Sequence, residues 1–155
     1  MKHNNRVGII LCLSAGILLN IAWAFDDNAQ RLHSNLSNER QFCKSQIHGE
    51  LFSRTELFFG LSRSDGPEVT EEEFQNFVDT EITPRFPDGL TLLSGKGQFK
   101  NSSGIIVQES PKLLILLYAF NPENHQAIEV IRNEYKNAFQ QESVLRTDEQ
   151  QCVSF

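Results

Sequence analysis

Apolar residues along this chain change their spacing several times, and each change marks an element. In "RTELFFGLS" (54–62), Leu57, Phe59 and Leu61 alternate with Glu56, Phe58 and Gly60, the period-two pattern of a strand. "RSDGPE" then reads as a turn, and the spacing becomes helical: Phe74, Phe77, Val78 and Ile82 form one stripe. Thr70 and Glu73 make a capping box before that stripe, Val69 and Phe74 stand at the positions of a hydrophobic staple, and Pro84 ends the helix. "GLTLLSGKGQFK" (89–100) predicts a second strand, bent at Gly95 and Gly97, and "NSSG" a hairpin loop. The third strand runs through "IIVQES", breaks at Pro111 and resumes as "KLLILLYAF"; its apolar residues occupy both parities, so it belongs in the middle of a sheet. Asn121 and Pro122 open a second helix with Ile128, Ile131, Tyr135 and Ala138 or Phe139 on one side, and "ESVLRTD" (142–148) predicts the last strand.

The order β-α-β-β-α-β predicts an α+β, ferredoxin-like fold: a four-stranded antiparallel sheet with two helices on one face and strand order 4-1-3-2. The sheet's other face would carry Phe58 and half of 113–120, an apolar surface covered either by the segment 25–52 or by a second copy in a homodimer.

The first residues change this picture. Lys2 and Arg6 precede the apolar run "VGIILCLSAGILLNIA", and Ala22 and Ala24 stand at −3 and −1 of a cleavage site, so residues 1–24 read as a secretory signal peptide cut near Ala24. Retention as a membrane anchor is the alternative. A polar leader, 25–53, with Leu32, Leu36 and Phe42 as sparse anchors, would become ordered near Cys43, and 54–155 would form the domain. Cleavage deepens the net charge from −6 to −8, which disfavours nucleic acid as a partner. Cys12 would leave with the signal; Cys43 and Cys152 remain and, in a periplasmic or secreted location, are expected to pair. No C-x-x-C supports a redox-active pair instead.

Candidate chemistry is sparse. Pro84 and Pro87 stiffen the backbone around Arg85, whose guanidinium could be aimed at a carboxylate or phosphate; the plainer reading is a cation at a helix C-terminus paired with a nearby Glu, with Phe86 plugging the core. Glu56 lies in a central strand and needs a partner, for which Arg54, Arg85 and Arg146 are candidates; Gln98 and Glu142 lie in or beside strands and could satisfy backbone groups. Tyr118 and Tyr135 read as core residues whose hydroxyls reach a partner. His33, His48 and His125 lack metal-ligand spacing, and neither a nucleophile elbow nor a phosphate-binding loop is present, so no metal or cofactor is expected.

"RTELFFGLS", "TPRFPDGLTLLSGKGQF" and "QESVLR" together resemble, over 54–155, a family of small exported bacterial proteins catalogued as domain of unknown function three-five-seven-four. The resemblance implies no established activity. It places Arg54, Thr55, Glu56, Pro84, Arg85, Phe86, Pro87, Gly89, Gly97, Gln98, Gln141, Glu142, Ser143 and Arg146 at the pattern's polar and turn positions, and Phe99 where an aromatic is common. Two functions follow as expectations. One is a binding or accessory module for a small acidic ligand or protein partner, with Arg54, Glu56, Arg85, Gln98, Glu142 and Arg146 as its polar cluster. The other is a small hydrolase or lyase-type enzyme with Glu56 or Glu142 as acid/base, steered by Arg85.

Overall fold

The computed structural model describes residues 34–63 and 65–155; the signal-peptide expectation and the start of the leader lie outside the described residues. The described residues divide into two units, 34–50 with 154–155, and Leu51–Val153. In the first, residues 34–42 are helical (α1) and run into a π-helical turn, Cys43–Ile47, closed by His48 in the left-handed region at φ 54°. Cys43 and Cys152 are disulfide-bonded, as expected of the two cysteines that remain in an oxidising compartment.

In the second unit, β1 (Glu50–Phe59), α2 (Glu71–Phe77), β2 (Thr91–Ser94), β3 (Gly97–Lys100), β4 (Ile106–Glu109), β5 (Lys112–Tyr118), α3 (Pro122–Phe139) and β6 (Leu145–Val153) follow in order. The main sheet has the order β2-β5-β1-β6. Read by the four strands that build it, this is the expected 4-1-3-2 arrangement, and the fold is ferredoxin-like. β5 pairs antiparallel with β1, Leu57 opposite Leu114, and with β2, Leu92 opposite Leu114. Thr55 of β1 meets Asp148 of β6, and Arg54 meets Glu149, so the edge partner of β1 is also fixed by its side chains.

Both helices form for the reasons the sequence supplies. The Thr70 hydroxyl accepts the Glu73 N–H at 3.2 Å, and the Glu73 carboxylate accepts the Thr70 N–H at 2.8 Å. α2 then relaxes into a π-helical turn, Val78–Ile82, in which the Thr83 N–H reaches the Val78 carbonyl at 2.8 Å. This turn keeps Ile82 on the buried side with Phe74, Phe77 and Val78. Asn121 caps α3 by accepting the Asn124 N–H at 2.6 Å, and Pro122 occupies the first turn. Ile128, Ile131, Tyr135 and Phe139 face inward. Between helices and sheet lies an aromatic core: the Tyr135 ring centroid is 4.5 Å from Phe59, 4.7 Å from Phe139 and 5.2 Å from Phe77. On the face opposite the helices, Leu93 and Leu117 are about half exposed beside Leu113 and Ile115.

The second and third expected strands depart from the simple plan. Each divides in two, and their adjoining halves, β3 and β4, pair only with each other as a separate two-stranded sheet. The bend lies at the glycines: the Gly95 N–H bonds the Pro111 carbonyl at 2.9 Å, and a Cβ on Gly97 would sit 3.3 Å from the Pro111 ring. The hairpin loop closes through Asn101, whose side chain accepts the Ile105 N–H at 2.9 Å, with Gly104 at φ 82°. The last strand begins later than expected and continues to Val153, leaving Gln141–Val144 as a connection.

A polar layer ties β1, β5, β6 and α3. Thr55, fully buried, donates to Asp148 at 2.6 Å, so the Tyr118 hydroxyl, 2.8 Å away, donates to Thr55. Arg146 holds Asp148 at 2.8 Å and Glu129 at 2.9 Å, and Arg132 also holds Glu129 at 2.9 Å. Burial pushes the Asp148 and Glu129 carboxyls up, but the hydrogen bonds from Arg146, with Thr55 and Arg132 respectively, outweigh it and hold both below the usual range. Glu73 is held low by the Thr70 N–H and then by Arg63.

Two measurements check this account. Replacing Cys43 and Cys152 together by Ser should lower the guanidinium-unfolding free energy by about 2–5 kcal/mol, because the bridge spans most of the folded chain. Three carboxyls with depressed native pKa values stabilise the fold above their unfolded values of about 4–4.5 and lose that contribution as acid protonates them. Melting temperature should therefore be flat above about pH 6 and fall below about pH 5. Asp148→Asn should flatten the acid limb; an unchanged limb would remove Asp148 from this account.

Candidate functional site

The six residues marked as a polar cluster divide among four places. Arg54 and Glu56 pair on the open face of the sheet, where Arg54 also bonds Glu149 at 2.6 Å and Glu56 accepts a long contact from Thr147 at 3.4 Å. Arg146 points to the helix side of β6 and is spent on Asp148 and Glu129. Arg85 caps the end of α2: its Nη1 bonds the Glu81 carbonyl at 2.5 Å and the Glu81 carboxylate at 2.9 Å. This is the local helix-end role, and Phe86 is buried against Tyr118, ring centroids 5.6 Å apart. The expectation of a single cluster is thus corrected: strand parity puts Arg54 and Arg146 on opposite faces, and Arg85 finds a carboxylate one helical turn away. Gln98 and Glu142, by contrast, line one cavity.

That cavity, of about 470 Å³, lies between the β3–β4 hairpin, the end of β1 and the connection from α3 to β6. It exists because Gly95, Gly97 and Pro111 turn the hairpin out of the main sheet. Gly97, Gln98, Gln141, Glu142 and Ser143, all positions on which the family resemblance rests, line it. Glu142 accepts from Ser102 at the hairpin loop at 2.9 Å, joining the two sides. Phe58, Phe99, Val107 and Leu145 supply apolar walls.

Gly60 anchors the inner wall. A Cβ there would lie 2.9 Å from both the Gln141 Oε1 and the Glu109 Oε2, so the missing side chain is what admits these two polar groups. The Gly60 carbonyl accepts from the Tyr135 hydroxyl at 2.8 Å, and Gln141 donates to the Ser62 carbonyl at 2.7 Å. Burial pushes the Tyr135 phenol strongly up, with the Glu109 charge adding to it and Arg63 opposing it. Tyr135 therefore serves as a neutral donor rather than a base. Arg63 bonds Glu73 at 2.7 Å and lies over the Phe139 ring at 5.7 Å.

Two atoms of this wall are buried without a partner among the described residues: Glu109 Oε2 and Arg63 Nε. Each such group costs about 1–3 kcal/mol, a cost the fold carries at this wall. Glu109, Arg63 and Gly60 were not among the sequence candidates. The nearest signal was Pro111 with Gly95 and Gly97, which locates the bend but not the residues that line it.

Comparisons with known proteins place the fold. A solved structure of a phage SAM lyase in complex with S-methyl-5'-thioadenosine is 17% identical, with TM-score 0.53, covering 67% of this chain and 90% of that one. The phage SAM lyase in its apo state is 21% identical, with TM-score 0.50, covering 63% of this chain and 79% of that one. At these identities the likeness is one of fold. No curated protein matches the sequence. Residues 54–155 match the family model described as Protein of unknown function (DUF3574), and the chain belongs to that family.

Proposed function

We propose that this protein is an exported small-molecule-binding domain whose ligand occupies the cavity beneath the β3–β4 hairpin. The observation that carries the reading is a cavity of about 470 Å³ lined both by polar Gln98, Gln141, Glu142 and Ser143 and by apolar Phe58, Phe99, Val107 and Leu145. Export rests on the basic, apolar and Ala-x-Ala pattern of residues 1–24 and agrees with the disulfide. Among the described residues no helix is long and apolar enough to cross a membrane.

A second reading is a lyase-type enzyme at the same cavity, favoured by the fold shared with the phage SAM lyase. Its acid/base would be Glu109 or Glu142, the carboxylates that line the cavity, with Arg63 in the place first given to Arg85. Glu56 has no part in it, since it does not line the cavity and is paired with Arg54.

The test of binding is mass spectrometry of small molecules extracted from protein purified from its native envelope. One molecule should accompany the wild type in near-stoichiometric amount. Gly60→Ala, whose methyl group would press on Glu109 and Gln141, should lose that molecule while its stability stays within about 1 kcal/mol, because both displaced groups are ends of flexible side chains. A wild type that carries nothing, or a variant that retains the molecule, sinks the proposal. Incubation with SAM separates the enzyme reading: turnover that vanishes in Glu109→Gln or Glu142→Gln supports it, and no turnover by the wild type ends it.

A further inference from the structure

We infer that the ligand is a single-chain amphiphile, whose neutral polar head sits in the cavity and whose unbranched apolar chain leaves along one row of the open sheet face; this deepens the binding reading above and rests on it. The register lays the row out. Leu93 of β2 stands opposite Leu113 of β5, and Leu113 opposite Phe58 of β1. On the other side of β1, Arg54 meets Glu149, Thr55 meets Asp148 and Glu56 meets Thr147, one step back on β6 for each step forward on β1. The same register sets Leu145 opposite Phe58. Leu93, Leu113, Phe58 and Leu145 thus cross every strand of the main sheet, a lane about 14 Å long at three strand spacings. Its ends are open, with Leu93 50% and Leu145 59% exposed. The lane runs into the cavity, because Phe58 and Leu145 also line it.

The neighbouring rows decide what covers the lane. Ile115 stands opposite Thr91 and Glu56, and Leu117 opposite Arg54, so the apolar strip is one side chain wide. A second copy laid over the whole face would desolvate Arg54, Glu56 and Glu149, which now lie partly in water. A single acyl chain covers the lane and leaves those charges wet. The cavity specifies the head. Gln98, Gln141 and Ser143 line it with uncharged polar groups, and its carboxylates, Glu109 and Glu142, are matched in number by Arg63 and Lys100. That balance favours a head of hydroxyl or amide groups over one with net charge.

Isothermal titration of the purified protein with monobutyrin, monohexanoin, monooctanoin and monodecanoin, each below its aggregation concentration, tests this. Affinity should rise about threefold or more at each step of the series, which adds two methylenes. Leu93→Glu, which sets a carboxylate at the far end of the lane, should abolish the gain beyond monohexanoin and leave monobutyrin unchanged. Leu117→Glu, on the same face but off the lane, should leave the whole series unchanged. Both side chains are about half exposed, and melting temperature checks that the variants fold. Probes that do not bind, or that bind without regard to chain length, overturn the inference; a native molecule still retained by the wild type leaves the binding reading standing. A wild-type dimer in sedimentation that both variants dissociate also overturns it, since a second copy then covers the face. If neither the probes nor a native molecule bind, both readings fall.

Discussion

Tyr135 carries a constraint that much of the second unit obeys. Its ring is wholly buried, packed against Phe59 of the central strand and against Phe77 and Phe139 of the helical layer. A buried phenol must also satisfy its hydroxyl, and the group it reaches is the carbonyl of Gly60, just past the end of β1. One side chain thus joins the apolar core to the backbone that forms the cavity wall. The absent side chain at Gly60 is what allows Glu109 and Gln141 to stand there.

Around that point the molecule sorts its charges into two kinds. Several are closed in ion pairs: Arg85 on Glu81, Arg54 on Glu56 and Glu149, Arg146 on Asp148 and Glu129. Buried Lys112 is settled in the same way, by Glu71 and by the Ser94 hydroxyl at 2.9 Å. The pairs of Arg54 with Glu149 and of Arg146 with Glu129 hold separate elements together. Glu109 and Glu142 instead line the cavity, where Glu142 is bonded to Ser102 of the hairpin loop.

The fold shared with a phage SAM lyase does not by itself transmit chemistry, because a ferredoxin-like frame positions residues without choosing them. What this chain adds is the hairpin. By leaving the main sheet at Gly95 and Pro111, β3 and β4 turn what would have been long strand ends into a wall over the end of β1.

The sequence by itself determined the elements and their order. The Thr70–Glu73 capping box, the stripe from Phe74 to Ile82, the alternation in β1 and the doubly apolar β5 each depend on neighbours a few residues apart, and each formed as written. Chain-crossing handedness then sufficed for the strand order, and oxidised cysteines for the bridge. Only the tertiary structure decided that β3 and β4 would leave the sheet, that Arg85 would close on its own helix, and that Glu109 and Gln141 would stand against Gly60. Those outcomes depend on register and on three-dimensional proximity between residues far apart in sequence, and no local spacing encodes which distant carboxylate will find an arginine first.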